Sequence, residues 1–185
     1  MKIMVFASSP NADGLTQACA DAVCEGVRAA GLEANLVRLN DERIGLCHAC
    51  AQGWGTCRTE HRCQVLDGFQ DLHKRAKEAD GYAVVSPVYF GELSESAKVF
   101  FDRLRRCEAT RGDESVLANK PMLAVAAAGG GGGGTTSCLD QMNRLFGHLR
   151  ASTWDLIAIT RKTRSYKIDT IRSAAQAMAQ AMQSK

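Results

Sequence analysis

The segment Lys2–Gln17 reads KIMVFASSPNADGLTQ and joins an apolar stretch to a helical pattern through a polar turn. Ile3–Ala7 is a short apolar run that ends at Ser, Pro and Asn residues, which is typical of a buried strand. From Leu15 to Ala30 the apolar residues recur with helical spacing, and Gly31 is suited to end that helix. A buried strand followed directly by a helix predicts the first unit of a parallel α/β sheet.

The same alternation continues along the chain. Further strands are predicted at Leu32–Leu39, Tyr82–Val85, Met122–Ala127 and Thr153–Ile159. Further helices are predicted at Leu66–Ala79, Ser94–Arg106, Thr136–Leu149 and Ile168–Met182, with Phe100 and Phe101 facing inward and Ser94 as N-cap. We therefore expect a three-layer α/β/α fold with a five-stranded parallel sheet of order 2-1-3-4-5. At 185 residues the chain is expected to form one domain, 1–185, with a cysteine-rich insertion at about 44–64.

The bulk composition narrows the classes of partner. A net charge of +3 is far below what a nucleic-acid-binding face requires, so no nucleic-acid partner is expected. No apolar run approaches the roughly 20 residues that span a bilayer, and the N-terminal apolar run is too short for a signal peptide. We therefore expect a cytoplasmic protein with no membrane partner and with reduced thiols.

Four of the eight cysteines fall in one short segment, as Cys47-x2-Cys50-x6-Cys57-x5-Cys63. Thiolates crowded into one loop of a reduced protein indicate metal or cluster ligands rather than disulfides. A [4Fe–4S] cluster is the first interpretation. A zinc site with help from His48 or His61 is the main alternative, although the last spacing is wide for zinc, and an absence of metal is the third. The other cysteines are interpreted as small apolar residues: Cys19 and Cys24 inside a predicted helix, Cys107 after one, and Cys138 opening another.

Three loops that follow predicted strands have compositions suited to a planar, phosphate-bearing ligand. Ser8–Gln17 offers hydroxyls and backbone N–H groups at a helix start, where an anion is favoured, although a capped turn without ligand has the same sequence. Ser86–Ser94 carries two adjacent aromatic residues that could flank a flat ring or form a packed corner. Gly129–Gly134 is a run of six glycines that permits close backbone approach, or a mobile loop.

These motifs resemble the flavodoxin-like NAD(P)H-dependent FMN reductase family, and more closely its iron–sulfur flavoprotein branch. The resemblance extends from Lys2 to about Leu149 and implies an FMN-dependent oxidoreductase with a flavodoxin-like fold. It implies that the FMN phosphate is held by Ser9, Asn11, Leu15, Thr16 and Gln17. It implies that the ribityl chain and ring are held by Pro87, Val88, Tyr89, Phe90, Gly91, Gly129 and Gly130. The metal ligands would be Cys47, Cys50, Cys57 and Cys63.

The sequence departs from the family pattern at two places. Ser8 and Asn11 stand where the family usually has Gly and Arg, so a basic phosphate partner has to come from elsewhere or the N–H groups have to suffice. Gly53 stands where the branch has its third cysteine, so that Cys57 would take that role in a longer loop.

The predicted function is that of an FMN-dependent electron-transfer oxidoreductase, with NAD(P)H or a ferredoxin-like protein as donor. No side chain stands out as a catalytic acid or base. The resemblance further implies a homodimer or homotetramer that brings the cluster of one subunit to the flavin of another. The alternatives are an NAD(P)H:FMN or quinone reductase without a cluster, a non-catalytic electron carrier, and a phosphate-sensing module without flavin.

Overall fold

The computed structural model of the chain describes residues 1–184. The strands are β1 (Lys2–Ala7), β2 (Glu33–Arg38), β3 (Gly81–Pro87), β4 (Pro121–Ala128) and β5 (Ser152–Thr160). The helices are α1 (Leu15–Ala29), α2 (Thr56–Thr59), α3 (Phe69–Lys77), α4 (Glu95–Glu108), α5 (Thr135–His148) and α6 (Arg164–Gln183). No helix within residues 1–184 combines the length and the apolar character that crossing a bilayer requires.

All strands pair in parallel in one sheet of order β2-β1-β3-β4-β5, which confirms the predicted order. In the centre of the sheet Phe6 lies opposite Val37 on one side and Val84 on the other. The strand order reverses direction between β1 and β3. In open sheets of this kind ligands bind outside the carboxyl ends of the strands at that switch point.

Each face of the sheet packs against a separate helical layer. Because side chains alternate along a strand, Ile3 and Val5 pack with α1 and α6, whereas Met4 and Phe6 pack with α3, α4 and α5. The Phe6 ring contacts those of Phe100 and Phe101, with centroids 5.2 Å and 5.4 Å away. The predicted inward orientation of these two α4 residues is therefore confirmed.

The structure differs from the sequence-based expectation mainly around the cysteine segment. The helix predicted from Leu66 starts only at Phe69, because the Asp67 carboxylate accepts the Phe69 N–H at 2.9 Å and ends the preceding loop there. Helix α2 and a 3-10 turn at Ala51–Gly53 lie inside the cysteine segment and were not predicted, since both are too short to show a periodic pattern. Cys107 lies within α4 rather than after it.

Candidate functional site

The three loops singled out in the sequence lie at the same edge of the sheet. They follow β1, β3 and β4, which are neighbours in the strand order. The Ser8 N–H donates to the Val85 carbonyl at 3.1 Å, and the Val88 N–H donates to the Ala127 carbonyl at 3.0 Å. The loops after β1 and β3 are thus each hydrogen-bonded at their first residue to the next strand of the sheet.

The loop after β1 presents backbone donors at the start of a long helix. Ser9 is half-buried and Asn11 is exposed, and the Asn11 N–H donates to the Ser9 hydroxyl at 3.2 Å. Leu15, Thr16 and Gln17 form the first turn of α1, where backbone N–H groups have no partner within the helix. Those N–H groups and the positive end of the helix dipole favour an anion at this position.

Arg38, at the end of β2, lies beside this loop and was not singled out in the sequence. Its Nη1 donates to Gln17 Oε1 at 2.6 Å and its Nε to Asp41 Oδ2 at 3.1 Å. The sequence left the source of a basic group near the loop open, and the structure brings a guanidinium to it from the neighbouring strand. Arg38 lies beside the loop because β2 pairs with β1 in the sheet.

The loop after β3 closes as a tight turn that displays aromatic side chains. Tyr89 and Glu92 exchange two backbone hydrogen bonds of 3.0 Å and 2.9 Å. Between them Phe90 and Gly91 have positive φ angles of 50° and 82°, as in a type I′ turn. Phe90 is fully exposed and Tyr89 is 37% exposed, so the interpretation of a packed corner is wrong. Few non-glycine residues adopt this conformation, and those that do are often found at ligand-binding sites.

The glycine loop after β4 contacts the same turn. A β-carbon on Gly134 would lie 2.6 Å from the Gly91 Cα atom, and Gly134 has a φ of 82°. The Ser137 hydroxyl donates to the Gly91 carbonyl at 2.8 Å. Gly129 and Gly130, the two residues predicted to contact a ring, are exposed just before this contact.

Ser94 ties the first two loops together. Its hydroxyl donates to the Ser8 carbonyl at 2.9 Å, and its N–H donates to the Ser86 hydroxyl at 3.1 Å. The residue occupies the predicted N-cap position of α4, but its hydroxyl makes no capping bond to the helix. The Ser94 side chain therefore connects the loops that follow β1 and β3 and does not cap the helix.

The four cysteines of the predicted metal site lie together around one cavity of about 20 Å³, with Arg103 and Arg106 in its lining. Cys47, Cys50, Cys57 and Cys63 are half-buried free thiols. The other cysteines are buried, in agreement with their interpretation as apolar residues. Among residues 1–184 no three His, Cys, Asp or Glu side chains are grouped closely enough to hold a metal ion.

Arg103 supplies the positive charge beside these thiols. Its Nη2 lies 3.3 Å from Cys63 Sγ, and its Nη1 lies 2.6 Å from Asp67 Oδ2. Burial by itself would raise the pKa of the Asp67 carboxyl, but hydrogen bonds from Arg103 and from the Gly45 and Phe69 N–H groups outweigh it and lower that pKa. The ion pair is therefore charged at neutral pH.

The backbone of the cysteine segment is strained. Ala49, Ala51, Gln52 and His61 have positive φ angles of 45°, 47°, 62° and 53°. Each such conformation costs a residue with a side chain about 1–2 kcal/mol. The segment also contributes few buried side chains, so its own packing offsets little of this cost.

Curated relatives were found for slightly more than half of the chain. An iron–sulfur flavoprotein of Methanocaldococcus jannaschii is 31% identical over 105 residues, which are 57% of this chain and 52% of the relative. An iron–sulfur flavoprotein of Methanosarcina thermophila is 30% identical over 103 residues, 56% of this chain and 52% of the relative. The chain thus spans about half the length of the curated relatives it matches.

Solved structures share the fold. The NAD(P)H:quinone oxidoreductase from Methanothermobacter marburgensis superposes with a TM-score of 0.78 at 15% identity, covering 96% of both chains. At this identity the likeness shows the flavodoxin-like fold alone.

Residues 1–160 match the family described as NADPH-dependent FMN reductase. The chain belongs to the NADPH-dependent FMN reductase family, and curated relatives it matches are iron–sulfur flavoproteins, as its loop motifs predicted.

Proposed function

We propose that the chain is an FMN-dependent oxidoreductase that passes electrons between its flavin and a [4Fe–4S] cluster held by Cys47, Cys50, Cys57 and Cys63. The observation that carries the flavin assignment is the meeting of three loops at one sheet edge: an anion-favouring helix start, an aromatic turn and a glycine run. Family membership over residues 1–160 supports the same cofactor.

The residues present fit FMN by their chemistry. Ser9, Asn11 and the first turn of α1 would hold the phosphate through hydroxyl and backbone N–H groups. Pro87–Gly91 would hold the ribityl chain and ring, with Tyr89 and Phe90 available for contact with an aromatic face. Gly129 and Gly130 would approach the ring closely, since neither has a side chain to interpose.

The cysteine segment fits a cluster by its donor set. Four thiols line one cavity, and soft thiolate ligands select iron–sulfur clusters or zinc. A bound cluster would also offset the backbone strain of the segment by holding its four cysteines.

When bound, FMN supplies the redox chemistry, exchanging electrons one or two at a time, and the protein provides binding, orientation and electrostatics. In this chain the three loops would hold the ring at the carboxyl edge of the sheet, and NAD(P)H or a ferredoxin-like protein would be the electron donor. Arg103 and Asp67 hold the cysteine segment against α4. No side chain is proposed as a catalytic acid or base.

A homodimer or homotetramer is part of the proposal. Arg103, which contacts the cysteine segment, is nine residues beyond Ser94, which contacts the flavin loops. Nine residues of helix rise roughly 14 Å, so the cysteine segment and the flavin loops of one subunit are separated along α4. Assembly would bring the cluster of one subunit to the flavin of another. Leu46, Trp54 and Leu66 are exposed around the cysteine segment and offer apolar surface for a second copy. Sedimentation equilibrium tests the assembly, and a strictly monomeric protein would contradict it.

Anaerobic purification followed by an absorbance spectrum and by flavin, iron, zinc and acid-labile sulfide assays tests the cofactors. We expect one FMN and four iron and four sulfide ions per chain. Cys57→Ser and Cys63→Ser variants should lose iron and keep FMN, whereas Cys138→Ser, which alters a buried cysteine outside the segment, should keep both.

The same measurements separate the alternative functions. Flavin bands without iron would favour the reductase that lacks a cluster, and a colourless protein that does not quench FMN fluorescence would overturn the whole proposal. The steady-state rate of NAD(P)H oxidation distinguishes an enzyme from a carrier. A rate no higher than that with free FMN would leave the carrier as the explanation.

A further inference from the structure

Arg103 is the largest side chain that the fold buries completely. A guanidinium removed from water is costly unless hydrogen bonds and a counter-charge surround it. Its Nη1 donates to the Gly45 carbonyl at 2.9 Å and to Asp67, and its Nη2 donates to the Val65 carbonyl at 3.0 Å and to Cys63 Sγ. The guanidinium carbon of Arg103, Cζ, also lies 4.4 Å from the centre of the Phe69 ring.

These partners belong to one stretch of chain. Gly45 precedes the first cysteine of the segment, and Val65 and Asp67 follow the last one. Asp67 reinforces the closure, because its Oδ2 also accepts the Gly45 N–H at 2.8 Å. A single side chain from α4 therefore joins the entry and the exit of segment 45–67.

Arg106, one turn further along α4, contacts the same segment in a different way. Its Nη1 donates to the Gly53 carbonyl at 2.5 Å, and its guanidinium lies 4.9 Å from the Trp54 ring centre. These contacts are to a carbonyl and a ring, not to a sulfur. The helix thus offers two arginines beside one cysteine segment, of which Arg103 donates an N–H to a thiol.

On the basis of the proposed cluster, we propose that Arg103 is a positioning residue. It closes segment 45–67, and its N–H contact to Cys63 Sγ helps to set the reduction potential of the cluster. Hydrogen bonds to the ligand sulfurs and nearby positive charge are among the factors that set the potential of such centres. Both stabilise the form that carries the additional electron, so their loss lowers the potential.

Arg103→Lys is the decisive variant. Lysine keeps the charge, but its single ammonium group on a flexible stem cannot reproduce the fork that reaches Asp67 and Cys63 together. We expect unchanged FMN, iron and sulfide contents and a midpoint potential lower by about 59 mV, a tenfold change in the one-electron equilibrium. The potential is measured by an anaerobic dithionite titration with mediator dyes. Arg106→Lys, the matched control, should change the potential by less than a third of that amount.

The outcomes separate the two proposals. If the wild-type protein takes up no iron and sulfide on reconstitution, the cluster proposal fails and this inference fails with it. If the wild type holds the cluster but Arg103→Lys has the same potential, only the role of Arg103 is overturned. Equal shifts in Arg103→Lys and Arg106→Lys would also overturn it, since a general loosening of the segment would then explain both.

A second measurement covers a variant that does not fold. In the wild-type protein, resonance Raman bands of the iron–cysteine sulfur stretches should shift between H₂O and D₂O, because an exchangeable N–H contacts Cys63 Sγ. Bands that do not move on exchange would overturn the inference without any substitution.

Discussion

The Gly91 Cα atom lies 2.6 Å from the position that a β-carbon on Gly134 would occupy, so the aromatic turn and the glycine loop touch backbone to backbone. No residue with a side chain fits at Gly134 unless one loop moves away from the other. The aromatic turn therefore depends for its position on a glycine in a loop 43 residues later in the chain.

Gly134→Ala should weaken FMN binding. The new methyl group meets backbone atoms rather than a flexible side chain, and the φ of 82° is unfavourable for alanine. We expect the Kd for FMN, measured by flavin fluorescence quenching, to rise at least about tenfold. Gly131→Ala is the matched control, because nothing lies within 4 Å of its added β-carbon. Equal affinities of the two variants would contradict the role of the Gly91–Gly134 contact.

Ser94→Ala should loosen the connection between the loops that follow β1 and β3. It removes the hydrogen bond from the Ser94 hydroxyl to the Ser8 carbonyl, at a cost of about 1 kcal/mol in the free energy of unfolding. We expect weaker FMN binding together with this loss, measured by urea unfolding of the apoprotein and by fluorescence titration. Ser96→Ala, whose hydroxyl lies 3.4 Å from the same carbonyl, should have the smaller effect. The reverse order would show that Ser94 does not hold the loops.

The eight thiols should divide into two reactivity classes in the cluster-free protein. Burial raises the pKa of the Cys19 and Cys107 thiols to about 12 and that of the Cys138 thiol to about 11. At pH 8 these groups are protonated as well as inaccessible, so iodoacetamide should modify them slowly. Rapid labelling is expected at the four half-buried cysteines of the segment. Peptide mass spectrometry over time checks this, and rapid labelling of Cys107 would contradict the packing of α4.

The free energy of unfolding should depend on pH through the Glu108 carboxyl group. The side chain is fully buried, and its Oε1 lies 2.6 Å from His73 Nε2. Burial alone would raise the pKa of Glu108, but the bonds from His73 and the Val116 N–H, with the nearby Arg111 charge, lower it. A carboxyl with a pKa depressed in the folded state stabilises the protein above its unfolded pKa of about 4.3, and this stabilisation is lost as the pH falls through the folded value.

Glu108→Gln should therefore lower the free energy of unfolding by about 3 kcal/mol at pH 7, and the difference from wild type should shrink in acid. Urea unfolding from pH 7 down to well below pH 4, where the folded-state carboxylate becomes protonated, measures both quantities. The exposed Glu114→Gln serves as a control and should follow the wild-type pH profile. A difference between Glu108→Gln and wild type that is independent of pH would show that the carboxylate charge does not matter.

The sequence was most informative where local periodicity and loop chemistry coincide. The five strands, their order and the three loops at the carboxyl edge followed from short apolar runs, from the right-handed crossover rule and from residues such as Ser9 and Gly91. Helix ends and α2 were less predictable, because a single turn has no period and side-chain bonds such as Asp67 to Phe69 end a loop without a sequence signal.

The kinds of chemical group present, hydroxyls and backbone N–H groups at a helix start, adjacent aromatics, glycines and clustered thiols, were determined by the sequence alone, because residue type and spacing set them. Which groups meet was decided by the tertiary structure. Arg103 is 40 residues from Cys63 and Ser94 is 86 from Ser8, and neither distance along the chain gives any sign of contact. Such pairs form because β1 and β3 lie side by side while α4 packs across the same face of the sheet, so that packing, not local propensity, brings them together.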